Sequence, residues 1–142
     1  MMKDEIGIID FLVREKLLVG TLLALIILVI VNIYNDIFKK YIEVNTNDAI
    51  TLMDEDNLTI LDVREEKERK SGFIDRDINI PMSQVKAKLD ELNSSKNILV
   101  YCKSGMRSGQ IASLLCNNSF QNVYILKGGF NAWQKADLPI QN

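Results

Sequence analysis

Asn97-Ile98-Leu99-Val100-Tyr101-Cys102-Lys103-Ser104-Gly105-Met106-Arg107-Ser108 is the stretch on which the rest of the chain is organised. Its first five residues are an apolar run of strand length. An amphipathic run over residues 108–118 follows, and a short turn with a glycine joins the two. A buried strand therefore ends at Cys102, turns through residues 103–107 and opens a helix. In that arrangement the turn's backbone N–H groups and the positive end of the helix converge on the cysteine sulfur. Lys103 and Arg107 add positive charge. The field favours the charged form, so Cys102 is expected to be a thiolate at neutral pH and a nucleophile. A cysteine at a strand end is also a common small buried hydrophobe. The cations, the glycine and the helix start favour the nucleophile.

Bulk composition narrows the chemistry. The chain has 142 residues and a net charge of −2. That is one domain plus an appendage, with no electrostatic reason to bind nucleic acid. It contains no histidine, which removes Ser-His-Asp triads, Cys-His pairs and histidine metal sites. Its two cysteines, Cys102 and Cys116, cannot build a zinc site by themselves. Cys116 lies in the apolar helical run 111–116, where a core role is expected.

Residues 17–34 read LLVGTLLALIILVIVNIY, without a charge. As a helix they span roughly 27 Å, near the thickness of a bilayer core. They are apolar all round and are not followed by a small-x-small cleavage site, so an uncleaved transmembrane anchor is expected. Residues 1–16 form a short mixed tail, either an amphipathic lead-in on a membrane surface or a frayed end. Residues 35–41 form a linker, and the domain occupies 42–142. Lys3, Arg14 and Lys16 precede the anchor, while Lys39 and Lys40 follow it. Taken literally this slight bias places the domain outside. Thiol chemistry needs a reducing compartment, so the expectation is a domain facing the cytoplasm.

Within the domain, strand-like and helix-like runs alternate. Strands are expected at 41–44, 58–63, around 78–80, at 98–101 and at 123–126. Helices are expected after the cap-rich Asn45-Thr46-Asn47-Asp48, after Pro81 with Ser83 near the cap, over 108–118 and over 130–135. The run Glu65-Glu66-Lys67-Glu68-Arg69-Lys70 reads as a solvated, exposed short helix. Near-continuous apolar strands imply a doubly wound parallel sheet with helices on both faces. Ligand sites in such sheets lie at the carboxyl ends of strands, where Cys102, Asp62 and Arg64 stand. Phosphate-binding glycine loops are absent from the sequence.

Leu61-Asp62-Val63-Arg64, Gly72-Phe73-Ile74, Asn79-Ile80-Pro81, the 102–107 loop and Gly128-Gly129-Phe130-x-x-Trp133 occur in that order. Together they resemble a single rhodanese domain over about residues 42–140. With the anchor, the chain is similar to small membrane-tethered rhodanese proteins of the bacterial inner membrane. The resemblance implies a sulfurtransferase with a rhodanese-like α/β fold and no metal or organic cofactor. Cys102 would take sulfane sulfur from a small donor such as thiosulfate, carry it as a persulfide and pass it to a thiol acceptor, including one on a protein. The amides of Lys103, Ser104, Gly105, Met106, Arg107 and Ser108 would hold the persulfide. Arg107 would orient the loop and steer an anionic donor, with Lys103 as a point charge. Asp62 and Arg64 would be framework contacts.

The family pattern also often carries a histidine where Phe73 stands, and Pro-Gly-Ala where Asp75-Arg76-Asp77 stands. Phosphatases of related fold place five residues between cysteine and arginine. Here four do, a smaller ring that suits a sulfur atom better than a tetrahedral oxyanion. Two other readings stay open: a binding or scaffold module with a membrane-protein partner, and a phosphatase. A pure scaffold has no need of Cys102 and Arg107 in this loop.

Overall fold

The computed structural model of the chain describes residues 2–142, except that the side chains of residues 2–6, 36 and 37 lie outside the described set. Two compact units result, one ending at Lys39 and the other covering Lys40–Asn142.

The first unit is helix α1, Met2–Ile37. Its stretch Gly7–Asn35 is long and apolar enough to cross a membrane, with mean hydropathy 2.7 and no residue buried within the structure. The segments read as tail and anchor are thus one continuous helix. Of the charges on which an amphipathic lead-in would rest, Lys3, Asp4 and Glu5 fall outside the described side chains, while Asp10, Arg14, Glu15 and Lys16 are exposed along the helix. Thr21 is the polar residue in mid-span, and its hydroxyl donates back to the Leu18 carbonyl at 2.8 Å. This is how a hydroxyl is satisfied in an apolar helix.

The second unit is a five-stranded, wholly parallel sheet in the order β1-β5-β4-β2-β3. Its strands are β1 Ile42–Val44, β2 Leu58–Asp62, β3 Asp77–Asn79, β4 Asn97–Tyr101 and β5 Val123–Leu126. Helices α2 Thr46–Met53, α3 Met82–Val85, α4 Met106–Asn117 and α5 Gly129–Lys135 connect them. Alternate residues of the central strands face opposite ways. Leu61, Val63, Ile98, Val100 and Cys102 pack with Val85 of α3 and with Ile111, Ala112 and Leu115 of α4. Ile60, Leu99 and Tyr101 pack with Ala49 of α2 and with Phe130 and Trp133 of α5. Helices therefore cover both faces, and each fully buried Leu or Ile contributes about 2 kcal/mol.

Local chemistry sets the element ends. The Asn45 side chain accepts the Asp48 amide at 2.9 Å and caps α2. The cap of α3 is Pro81, with Ser83 inside the first turn. That helix tightens into a 3-10 run, Lys86–Glu91, because Lys88 leaves helical geometry. Helix α4 starts at Met106, two residues before the expected start, because Gly105 takes a φ of 101° and turns the chain directly into it.

Candidate active site

Parallel register brings the carboxyl ends of three strands into line. Asp62 of β2 stands opposite Tyr101 of β4 and Asn79 of β3. The residues that follow these ends build the site.

Cys102 is the first residue past β4, and its side chain is fully buried. The Gly105 amide donates to its sulfur at 3.0 Å and the Ser108 amide at 3.5 Å. The thiol lies 3.6 Å from the Ser108 hydroxyl oxygen, which is also 2.9 Å from the Gly105 carbonyl; the hydroxyl donates to that carbonyl beside a thiol and rotates to donate to the sulfur of a thiolate. Burial pushes the Cys102 thiol up. The Ser108 amide and hydroxyl and the Gly105 and Ser104 amides outweigh it, so the thiol lies below its ordinary range. Ser108 is itself fully buried, whereas Lys103, Ser104 and Met106 are exposed. The loop thus turns amides inward and side chains outward.

The loop's carbonyls are drawn the other way by α5. The Phe130 amide donates to the Cys102 carbonyl at 2.8 Å and the Asn131 amide to the Lys103 carbonyl at 3.0 Å. This docking requires glycine at position 129. Its φ is +60°, and a Cβ there would fall on the Cys102 carbonyl oxygen and within 2.7 Å of the Lys103 carbonyl.

Behind the loop lies a closed ionic network. Asp62 is fully buried and accepts from the Arg64 backbone at 2.9 Å, from Arg64 Nε at 3.0 Å and from Arg64 Nη2 at 2.8 Å. Arg64, only 1 % exposed, also donates to the Gly72 carbonyl at 2.9 Å and lies 4.1 Å above the Phe130 ring. Arg69 bridges Asp62 at 2.7 Å and Asp77 at 2.6 Å. Burial and the Asp62 charge push the Tyr101 hydroxyl far up, so it stays protonated and donates to Asp77. Two carboxylates thus meet two guanidiniums, and among the described residues no buried side-chain N or O lacks a partner.

A second ion pair reaches the loop itself. Arg107 donates through Nη1 and Nη2 to the two Glu68 oxygens, each at 2.7 Å. The Arg107 bond and charge hold the Glu68 carboxyl at about 2. Glu68 also accepts the Glu65 amide at 2.8 Å, which starts the 3-10 helix Glu66–Ser71. The run read as a solvated face is therefore corrected. Glu68 and Arg69 turn inward to two separate ion pairs, because a 3-10 helix after β2 faces the charged strand ends. A pocket of about 200 Å³ opens beside the loop, with Arg64, Glu68, Lys103, Phe130, Asn131 and Gln134 among its lining residues.

The structure brings Cys102, Gly105, Ser108 and Arg107 together, with Asp62 and Arg64 behind them. Sequence reasoning missed Glu68, Arg69, Asp77 and Tyr101. A signal existed for the first of these, since a Glu three residues after the residue that begins a turn can reach back and accept that residue's amide. Cys116 is half-buried against the α4-side core, and burial pushes its thiol up.

The pattern of the family described as "Rhodanese-like domain" matches residues 45–136. The chain is 40 % identical over 74 residues to the uncharacterized protein YqhL of Bacillus subtilis, an alignment covering 52 % of this chain and 59 % of that protein. It is 30 % identical over 89 residues to a sulfurtransferase of Allochromatium vinosum, covering 63 % of this chain and 83 % of the relative. To the uncharacterized protein YibN of Escherichia coli K12 it is 27 % identical over 136 residues, covering 94 % and 95 %. Among solved structures, a rhodanese-related protein of Thermoplasma volcanium superposes with a TM-score of 0.65 at 31 % identity, covering 71 % of this chain and 98 % of that one.

Proposed function

From the premise that this chain belongs to the rhodanese-like domain family, we propose that it is a sulfurtransferase that carries sulfane sulfur as a persulfide on Cys102, anchored in a membrane by α1. The observation that carries the reading is the loop geometry. Amides of Gly105 and Ser108 point at a sulfur whose thiol is held below its ordinary range. A relative named as a sulfurtransferase adds support.

The thiolate attacks the outer sulfur of a donor. With thiosulfate, a new S–S bond forms to Cys102 while the bond between the sulfane sulfur and the sulfonate sulfur breaks. Sulfite leaves with that electron pair. The outer persulfide sulfur now carries the negative charge, and the inward amides and the positive end of α4 stabilise it. An acceptor thiolate then attacks that outer sulfur. The Cys102–S bond breaks, and the thiolate at Cys102 is restored. Neither step needs an outside oxidant or reductant. Because the amides face a fixed point and the loop carbonyls are tied to α5, the hole is set before the charge arrives.

The membrane part rests on the apolar helix Gly7–Asn35. We place the domain on the cytoplasmic side of a bacterial inner membrane, where acceptor thiols stay reduced. The test is turnover by the full chain in detergent with thiosulfate and cyanide. Thiocyanate formed by the wild type and not by Cys102→Ser supports the reading. Equal rates in both would overturn it.

A further inference from the structure

Resting on the sulfurtransferase reading, the charge pattern at the pocket mouth bears on which donor the site takes. Arg107 is the loop's own cation, but both of its terminal nitrogens are spent on Glu68, each at 2.7 Å. The pair is only partly exposed, at 31 % and 23 %. Arg64 is engaged with Asp62, and Arg69 with Asp62 and Asp77. Lys103 is then the lining cation with no carboxylate partner among the described residues, and it is exposed. Asn131 and Gln134 also line the pocket and offer neutral amides. The approaching donor therefore meets a Glu68–Arg107 pair with no net charge, one further positive charge on Lys103 and the thiolate of Cys102. A doubly charged donor is repelled by the thiolate and compensated by Lys103 alone, where an unpaired Arg107 would have attracted it.

We infer that Glu68 is a specificity-determining residue: by neutralising Arg107 it selects hydropersulfides of small neutral thiols over dianionic thiosulfate as sulfur donors. In the favoured reaction the thiolate attacks the outer sulfur of RS–SH. The donor's S–S bond breaks, RS⁻ leaves with the electron pair, and the proton on the transferred sulfur is lost to water.

The experiment uses the full chain in detergent with dithiothreitol as acceptor. The donors are thiosulfate and the hydropersulfide of 2-mercaptoethanol. Glu68→Gln keeps an oxygen for the Glu65 amide and removes the charge. Its KM for thiosulfate is expected to fall about fivefold, the scale of one charge contact in a half-exposed pocket. The KM for the hydropersulfide should stay unchanged. Lys103→Met, at an exposed position, is expected to raise the thiosulfate KM and leave the other unmoved. A ratio of the two KM values unaltered by both variants, or equal loss of kcat with both donors in Glu68→Gln, overturns this inference and makes Glu68 a brace for the loop. Sulfur gained by Cys102 from neither donor overturns the underlying reading and this inference with it. Normal loading with an unmoved ratio overturns this inference alone.

Discussion

At the residue scale, the sulfur of Cys102 owes its character to Ser108 and Gly105. Removing the Ser108 hydroxyl takes away one group that favours the thiolate, so Ser108→Ala should move the thiol upward. The sign follows directly. A depressed thiol pKa means that reactivity is lost as pH falls through the folded value. The variant should therefore lose activity at a higher pH than the wild type. A pH profile of iodoacetamide alkylation of Cys102 measures it. Gly129 is the other residue whose identity is dictated. Gly129→Ala pushes a Cβ into the backbone at Cys102 and Lys103 and forces a left-handed conformation on alanine. A loss of about 2 kcal/mol is expected, which lowers the melting temperature by roughly 8 °C or more. Cys102 and Ser108 were legible because a strand, a glycine turn and a helix start leave one place for the sulfur. Gly129 was legible only as a turn. Its contact with the loop joins positions far apart in sequence, and no local pattern carries that information.

At the element scale, the 3-10 helix Glu66–Ser71 holds the strand ends and the Cys102 loop in register through Arg69 and Glu68. Arg69→Met leaves the buried Asp62 and Asp77 with one guanidinium between them, so about 3 kcal/mol of stability should go at neutral pH. Urea denaturation of wild type and variant at neutral pH measures it. The Glu68 carboxyl is depressed to about 2, so the ion pair's contribution is present above the ordinary carboxyl range and is lost only as pH falls through that value. In Arg107→Ala the Glu68 titration, followed by carboxyl carbon NMR, should return to about 4. The strands and α2, α4 and α5 were legible because apolar periodicity is a local signal. The inward turn of Glu68 and Arg69 was not. A charge run looks alike whether it faces water or a buried counter-charge, and the counter-charges sit on β2, β3 and the first turn of α4. The kink at Lys88 was likewise invisible, since the stripe of Val85, Leu89 and Leu92 suits either helical form.

At the scale of the whole molecule, a helix that is apolar on every side over residues 17–34 is joined to a folded α/β domain. Membranes from cells expressing the full chain should retain it through alkaline carbonate washing, and a chain lacking residues 1–39 should not sediment with them. With the domain in the cytoplasm, Lys40→Cys should resist a membrane-impermeant maleimide in intact cells and react after lysis. Labelling of intact cells would put the domain outside. The apolar run was plain in the sequence, but its reach was not: charged Asp10, Arg14, Glu15 and Lys16 lie within the same continuous helix. The parallel sheet with both faces covered was also plain, since each central strand is apolar on both sides. The strands and helices of the domain converge on one sulfur atom, and the most direct measurement is the intact mass of the full chain in detergent after incubation with a sulfane donor. Thiosulfate and the hydropersulfide of 2-mercaptoethanol would be used in turn, with Cys102→Ala beside the wild type. A gain of one sulfur atom in the wild type alone, reversed by cyanide, is the predicted result. An unchanged wild-type mass with both donors, or the same gain in Cys102→Ala, would contradict it.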